Sequence, residues 1–300
     1  DRLSMSFDER GGAPVRRPST EGRRAASLFQ FGSSYGFSAA GTALPEATLG
    51  ARRARTILLG LVVPGLILGL WWWASELTDI PDYLLPSPAQ VVGAGLELGE
   101  SGLLATYIAI SLQRVFLGFA IGAAVGLTLG AIVGLSRTAP QLLSPTLGAI
   151  RAVPSLAWVP LLTIYLGIYE TPKITLIAIG AAFPVFTTVA SALRHVDPHL
   201  VEAGRAFGLG RLSLLTTVQL PAVVPSVVSG LRLALAQSWL FLVAAELIAS
   251  SMGLGFLLID SQNNGRMDRI FLAIILLAVL GKTTDALIGL GERALLKRWG

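Results

Sequence analysis

The 300-residue sequence is 53% hydrophobic and only 14% charged, with a formal net charge of +5 and no cysteine. A soluble domain carries about 25% charged residues, so this composition indicates a membrane protein. The lack of cysteine excludes disulfides, thiolate metal ligands and thiol catalysis. The two histidines, His195 and His199, lack the further ligands of a metal site, so none is predicted. Nucleic acid is not a predicted partner, because the cationic residues are not interleaved with aromatic ones.

The composition changes along the chain and suggests three regions. Residues 1–55 are rich in Arg, Ser, Gly and Ala and show no sustained periodicity, which is typical of a disordered tail. Residues 56–108 contain the first long apolar run and the loop after it. Residues 109–300 contain the remaining apolar runs and are predicted to form the membrane core.

A helix needs about 20 apolar residues to cross a bilayer. Six runs meet that length: Thr56–Ser75, Ala109–Leu135, Leu142–Ile168, Pro172–Leu193, Ala222–Ala249 and Ile270–Leu290. The third run contains Pro145, Pro154 and Pro160 and predicts a broken or kinked helix, which needs neighbours or water to satisfy the freed backbone groups. The sequence therefore predicts an all-α membrane protein with about six transmembrane helices.

Lysine and arginine in the connecting segments predict the orientation. With both termini in the cytoplasm, the outer side receives only Lys173, Arg266 and Arg269, and the connecting segments of the inner side collect most of the other cationic residues. The positive-inside rule therefore favours cytoplasmic termini and a basic cytoplasmic tail.

The second run carries a glycine at every fourth position. A helix face without side chains lets a partner backbone approach closely, which stabilises helix pairs in lipid. The partner of this stripe is either another helix of the chain or a second copy of the protein. The stripe consists of Gly118, Gly122, Gly126, Gly130 and Gly134.

A short charged segment at about 197–212 interrupts the apolar runs. Asp197 and Pro198 fit the N-cap and the first turn of a helix. Glu202 and Arg205, three residues apart, share a helix face and have small residues beside them. The pattern predicts a short cytoplasmic helix that inserts into a groove of another protein.

The spacing of Glu202-Ala203, Gly208 and Leu220-Pro221 resembles the EAA signature of ABC importer permeases. Gly204 replaces the alanine of that signature, and Val218 stands where isoleucine is usual. The resemblance implies a type I ABC importer permease fold with a cytoplasmic coupling helix that docks into an ATPase subunit. The coupling residues that it implies are Glu202, Ala203, Gly204, Arg205, Gly208, Leu220 and Pro221.

The resemblance extends over residues 84–299, with stretches such as "SLQRVFLGFAIG" and "RAVPSLAWVPLLTIYLGI". These resemble the subgroup that imports aliphatic sulfonates, taurine or nitrate, with sulfonate favoured. The resemblance implies a non-catalytic permease homodimer in the lipid of the bacterial inner membrane, with two ATPase subunits and a periplasmic or lipid-anchored substrate-binding protein. No cofactor is predicted for the chain itself, because "LGKTTD" has Leu276 where a P-loop requires glycine, so ATP belongs to the ATPase subunits.

Polar side chains within the runs are candidates for the translocation path. Ionisable groups in a bilayer are costly unless they face protein or water, so each is a functional candidate. For Arg232 and Glu246 a polar contact that fixes helix positions is an equal alternative, and for Arg114 so is snorkelling to lipid headgroups. The candidates are Gln113, Arg114, Arg232, Gln237, Trp239 and Glu246.

Two other classes compete with the importer permease. A secondary transporter driven by an ion gradient often has internal repeats and relays of intramembrane acids, whereas Glu246 stands alone here and no repeat is visible. An intramembrane enzyme would need a metal pair, a thiol or a Ser–His arrangement, and the sequence offers none of them.

Overall fold

The computed structural model describes residues 46–154 and 157–299. The chain divides into two units, residues 1–63 and 64–300, and helix α1 (Glu46–Leu77) crosses their boundary. Of the predicted disordered tail, residues 1–45 lie outside the described residues. Residues 46–55 are helical, so the tail was predicted ten residues too long. The stretch "EATLGARRAR" consists largely of strong helix formers, which explains the earlier helix start.

The described part of the second unit is helical and contains no strand. Its α-helices are α2 (Pro88–Glu100), α3 (Leu103–Leu135), α4 (Ala139–Ala152), α5 (Trp158–Leu166), α6 (Glu170–Arg194), α7 (Pro198–Ala206), α8 (Arg211–Leu214), α9 (Leu220–Ala249), α10 (Leu254–Asn263) and α11 (Met267–Trp299). A π-helical turn, Leu215–Gln219, joins α8 to α9.

Five helical segments of the described chain are long and apolar enough to cross a membrane: Leu59–Leu77, Leu103–Leu135, Glu170–Arg194, Leu212–Ile248 and Met267–Arg293. The third predicted run forms α4 and α5 instead, which have 14 and 9 residues. Each is too short to cross a bilayer alone. The chain leaves helical geometry around Pro154, so this run is the broken helix that its prolines predict.

The glycine stripe of α3 packs against α6, which lies between α3 and α9. A Cβ atom added at Gly126 would lie 2.6 Å from the carbonyl oxygen of Ala182 and 2.8 Å from Cβ of Val185. Gly118, Gly130 and Gly134 are equally close to α6, and Gly122 contacts the backbone at Ala178. The partner of the stripe is therefore a helix of the same chain.

A Gly126→Leu variant is expected to lose at least about 2 kcal/mol of stability, because the added side chain meets backbone atoms of α6 that cannot rotate away. The loss would be measured as a lower thermal unfolding midpoint in detergent. Gly69→Leu on α1 is the matched control, since a Cβ added there meets nothing within 4 Å. Equal midpoints for both variants would contradict the tight α3–α6 contact.

The turn that precedes α11 is tied to α2 by ion pairs. Arg266 and Arg269 each donate a hydrogen bond of 2.8 Å to the carboxylate of Glu97. The hydrogen bond from Arg266, aided by that from Arg269, lowers the pKa of Glu97, so this carboxylate is charged at neutral pH. The contacts fix the end of the bundle that lies opposite α7.

Candidate functional site

Helix α7 carries the predicted coupling residues and is capped at both ends. The Asp197 carboxylate accepts a hydrogen bond of 2.9 Å from the His199 backbone N–H, so the predicted N-cap is confirmed. At the other end the backbone N–H groups of Gly208 and Leu209 donate to the carbonyls of Arg205 and Gly204. This is a Schellman motif, and Gly208 provides the left-handed conformation that it requires, with φ of +78°. Gly208 therefore ends the helix at a defined residue.

Gly204 is the buried contact of α7 with the following segment. A Cβ atom there would lie 2.5 Å from Cδ1 of Leu214 and 3.4 Å from Cγ2 of Val218. An alanine would require Leu214 to move, which explains the departure from the EAA signature at this position. Because Val218 lies in the π-helical turn that leads into α9, α7 packs directly against the segment that begins α9.

The other face of α7 is open. Glu202, Ala203 and Arg205 are exposed, and Phe207, the residue at the C-terminal end of the helix, has 86% of its surface exposed. The sequence analysis missed Phe207, although an aromatic residue among small ones, next to the glycine that turns the chain, was a usable signal. Leu220 and Pro221 form the first turn of α9 and are connected to α7 through the turn that contains Val218.

Four charged side chains form an ion cluster, Arg114, Glu170, Lys173 and Glu246, of which all but the 56%-exposed Glu170 are buried. Glu246 has no exposed surface and accepts hydrogen bonds from Arg114 Nη1 at 2.6 Å, Ser111 Oγ at 2.9 Å and the Gly255 N–H at 2.7 Å. Arg114 also binds both carboxylate oxygens of Glu170, at 2.6 and 2.7 Å, and Lys173 binds Glu170 at 3.1 Å. The cluster joins α3, α6, α9 and the start of α10.

The cluster shows what two of the predicted path residues contact. Arg114 is 3% exposed and engaged with two carboxylates, so it does not offer a free charge to an anion. Glu246 is enclosed by protein on all sides. The contacts of Glu246 match the alternative given for it, a polar contact between helices, whereas Arg114, for which the alternative was snorkelling, forms ion pairs within the protein. Gln113, on the neighbouring face of α3, is exposed and lines a cavity of about 320 Å³ together with Arg114 and Glu170.

Arg232 and Trp239 also hold helices together. Arg232 donates to Asp285 at 2.9 and 3.0 Å and to Glu292 at 3.1 Å, which ties α9 to α11. Trp239 is 8% exposed and donates its indole N–H to Thr284 Oγ1 at 2.9 Å. The prediction that Trp239 lines the path is wrong, because this side chain packs in the core between α9 and α11.

Gln237 lies on the wall of a cavity. The cavity has a volume of about 250 Å³ and lies between α6 and α9, beside the end of α4 and the start of α5. Its polar lining comes from Arg151, Thr187 and Gln237, and its apolar lining includes Trp158, Phe183 and Phe241. We refer to it as the central cavity. Of the six predicted path residues, Gln237 alone lines it, while Gln113 and Arg114 line the cavity at the ion cluster.

The fold and the capped, exposed helix α7 define a helical membrane protein built like a transport permease. Residues 122–297 match the family described as "Binding-protein-dependent transport system inner membrane component". The chain belongs to this family. It is therefore a multi-pass membrane protein of the class that serves as the permease component of ABC importers.

The similar proteins agree with this membership. The chain is 39% identical over 238 residues to the "Putative aliphatic sulfonates transport permease protein SsuC" of Bacillus subtilis (strain 168), which covers 79% of this chain and 86% of that one. It is 40% identical over 233 residues to the protein of the same name in Escherichia coli (strain K12), with 78% and 88% covered. The "Taurine transport system permease protein TauC" of Escherichia coli (strain K12) is 34% identical over 250 residues, with 82% and 90% covered.

A solved structure shares the fold. The inward-facing MetNI methionine ABC transporter superimposes with a TM-score of 0.58 at 20% identity, over 67% of this chain and 98% of that one. The likeness confirms the predicted fold class.

Proposed function

We propose that this permease imports an aliphatic sulfonate. The observation that carries the proposal is the identity of 39–40% to two permeases named for aliphatic sulfonates, over more than three quarters of this chain. The taurine permease, whose named cargo is itself a sulfonate, is less similar at 34%. The reading as a secondary transporter has no support from the fold or the relatives.

The proposed assembly is a homodimer of this chain in the inner membrane, with two ATPase subunits on the cytoplasmic side and a substrate-binding protein outside. Helix α7 would then face the cytoplasm, and both termini with it. ATP would bind to the ATPase subunits, and the permease would carry no cofactor and catalyse no reaction.

The proposed mechanism is alternating access, in which packed helices move as rigid groups. Closure of the ATPase subunits would displace α7, and the contacts of Gly204 with Leu214 and Val218 would carry that displacement into α9. Helices α3 and α6 would follow as one body, because the glycine stripe locks them together. The chain therefore supplies the rigid parts, and its partners supply the energy.

Deletion of the gene in its native host is expected to abolish growth on ethanesulfonate or butanesulfonate as sole sulfur source. Growth on sulfate, and on nitrate as sole nitrogen source, should be unchanged. Growth rates of the deletion strain and of the complemented strain would be compared on each medium. Retained growth on sulfonates together with lost growth on nitrate would contradict the proposed cargo.

A further inference from the structure

Arg151 occupies an unusual position in the bundle. It lies in the last turn of α4, where the third apolar run breaks, and its side chain lines the central cavity. Within the described ranges, 46–154 and 157–299, no carboxylate forms an ion pair with Arg151. By contrast, Arg114 on α3 and Arg232 on α9 each bind two carboxylates. Arg151 is exposed in the described chain, so its guanidinium can contact an anion that enters the cavity.

The helix positions that line the cavity indicate its depth in the membrane. Helix α6 contributes residues from Ile179 to Thr187, and α9 contributes residues from Leu233 to Phe241, which are the middle parts of helices of 25 and 30 residues. Arg151 lies about 20 Å along α4 from its first residue, which is well within a hydrocarbon core of about 30 Å. The cavity is thus near the middle of the membrane.

The break between α4 and α5 is consistent with a water-filled site. Non-helical backbone is tolerated at this depth only where protein encloses it or where it lines an aqueous cavity. Residues Ile150, Arg151 and Val153, at the break, all line the central cavity. A charged side chain in the same place has the same requirement, because it must be solvated or neutralised.

We propose that Arg151 binds the anionic head group of the cargo in the central cavity, with the side-chain amide of Gln237 as a further hydrogen-bond donor. A guanidinium presents N–H groups in a fixed fork that matches the oxygens of an oxyanion. The amide of Gln237 lies on the wall of the same cavity and can donate to a further oxygen. The hydroxyl of Thr187 also lines the cavity but donates its proton to the carbonyls of Phe183 and Pro184.

The rest of the lining suits an alkyl tail. Trp158, Phe183, Leu233 and Phe241 supply apolar surface beside the polar groups. The volume of about 250 Å³ is below the range of about 300–1,000 Å³ that holds drug-sized ligands, so the cavity suits a small anion. This inference rests on the proposed function for the sulfonate head group, and it adds the residues that recognise it.

The absence of cysteine from the chain permits a direct test. Gln237→Cys would place the only thiol of the permease on the cavity wall. In the full permease–ATPase complex, the labelling rates of two thiol reagents would be compared: sulfonatoethyl methanethiosulfonate, which is itself an alkylsulfonate anion, and its trimethylammonium counterpart. Arg151 should favour the anionic reagent, and ethanesulfonate should protect the thiol.

Adding Arg151→Gln is expected to lower the ratio of anionic to cationic labelling about tenfold or more, since a cavity with one sign of charge concentrates the opposite ion by that order. Arg151→Lys should retain most of the ratio. Arg137→Gln is the matched control, because Arg137 is exposed in the turn before α4 and outside the cavity. An unchanged ratio in the Arg151→Gln background would overturn the proposal.

Measurements of sulfonate uptake test the role of Arg151 separately from the proposed cargo. In proteoliposomes with the ATPase and the binding protein, Arg151→Gln should lose most ethanesulfonate uptake while the complex still assembles. Leu233→Trp, which fills part of the cavity, should reduce butanesulfonate uptake more than methanesulfonate uptake. If the wild type takes up sulfonate and Arg151→Gln takes it up equally well, the role of Arg151 is overturned but the proposed cargo is not. A wild type that takes up no sulfonate would overturn the proposed cargo, whatever the labelling shows.

Discussion

A Glu246→Ala variant is expected to lose about 3–5 kcal/mol of stability, the loss typical of breaking a buried ion pair from one side. The carboxylate of Glu246 accepts hydrogen bonds from Arg114, Ser111 and the backbone N–H of Gly255. Because the site has no exposed surface, water does not replace the lost carboxylate as an acceptor for these donors. Since whole domains are stable by only about 5–15 kcal/mol, the variant should accumulate poorly in the membrane. The measurement is the thermal unfolding midpoint of detergent-solubilised protein, together with its yield.

Two comparisons make this expectation specific. Glu76→Ala removes an exposed carboxylate from α1 and should leave the midpoint unchanged. The double variant Arg114→Leu, Glu246→Leu should be less destabilised than the sum of the two single variants, because it leaves no unpaired charge between these positions. Additive losses would show that Arg114 and Glu246 do not depend on each other.

The ion cluster shows what sequence reasoning could and could not reach. Arg114 and Glu246 stood out as ionisable residues in apolar runs, which is a property of composition. That they pair with each other across 132 positions, and that Glu170 joins them, depends on how α3, α6 and α9 cross. Nothing in a single sequence fixes those crossings. The alternative of a polar contact that fixes helix positions was correct for Glu246 because a fully buried carboxylate needs such a partner.

Features that depend on residues close together in the sequence were predicted well. Asp197 as an N-cap and the break around Pro154 follow from the local chemistry of the chain, and both are present. The glycine stripe was also readable, since a four-residue period places its members on one helix face. Its partner was not readable, because α6 carries no complementary pattern beyond ordinary apolar residues such as Val185 and Val189.

Trp239 and Arg151 show why residues that line a cavity are hard to predict from sequence. An indole in the middle of an apolar helix can face either a core or a cavity, and the hydrogen bond to Thr284 that decides for the core comes from another helix. Arg151 was not proposed as a site residue. Its importance follows from the cavity around it, which four separate parts of the chain build. Residues of a path between helices are therefore the least predictable class.

A Phe207→Ala variant is expected to weaken association with the ATPase about 30-fold or more, the effect of removing an interface hot spot of about 2 kcal/mol. Phe207 is 86% exposed at the end of α7, and a large aromatic side chain at the tip of a helix is suited to fill a pocket on a partner. Folding should be unaffected, because the side chain makes little contact with its own chain.

The measurements are co-purification of the ATPase with the permease and ATP-driven uptake in proteoliposomes, and both should fall together. Phe116→Ala is the matched control, since Phe116 is also exposed, at 47%, but lies on the membrane helix α3. Unchanged co-purification and uptake for Phe207→Ala would contradict docking through the exposed face of α7. Loss of uptake with intact co-purification would place Phe207 in the transmission of movement rather than in binding, because the complex would then assemble without driving α9.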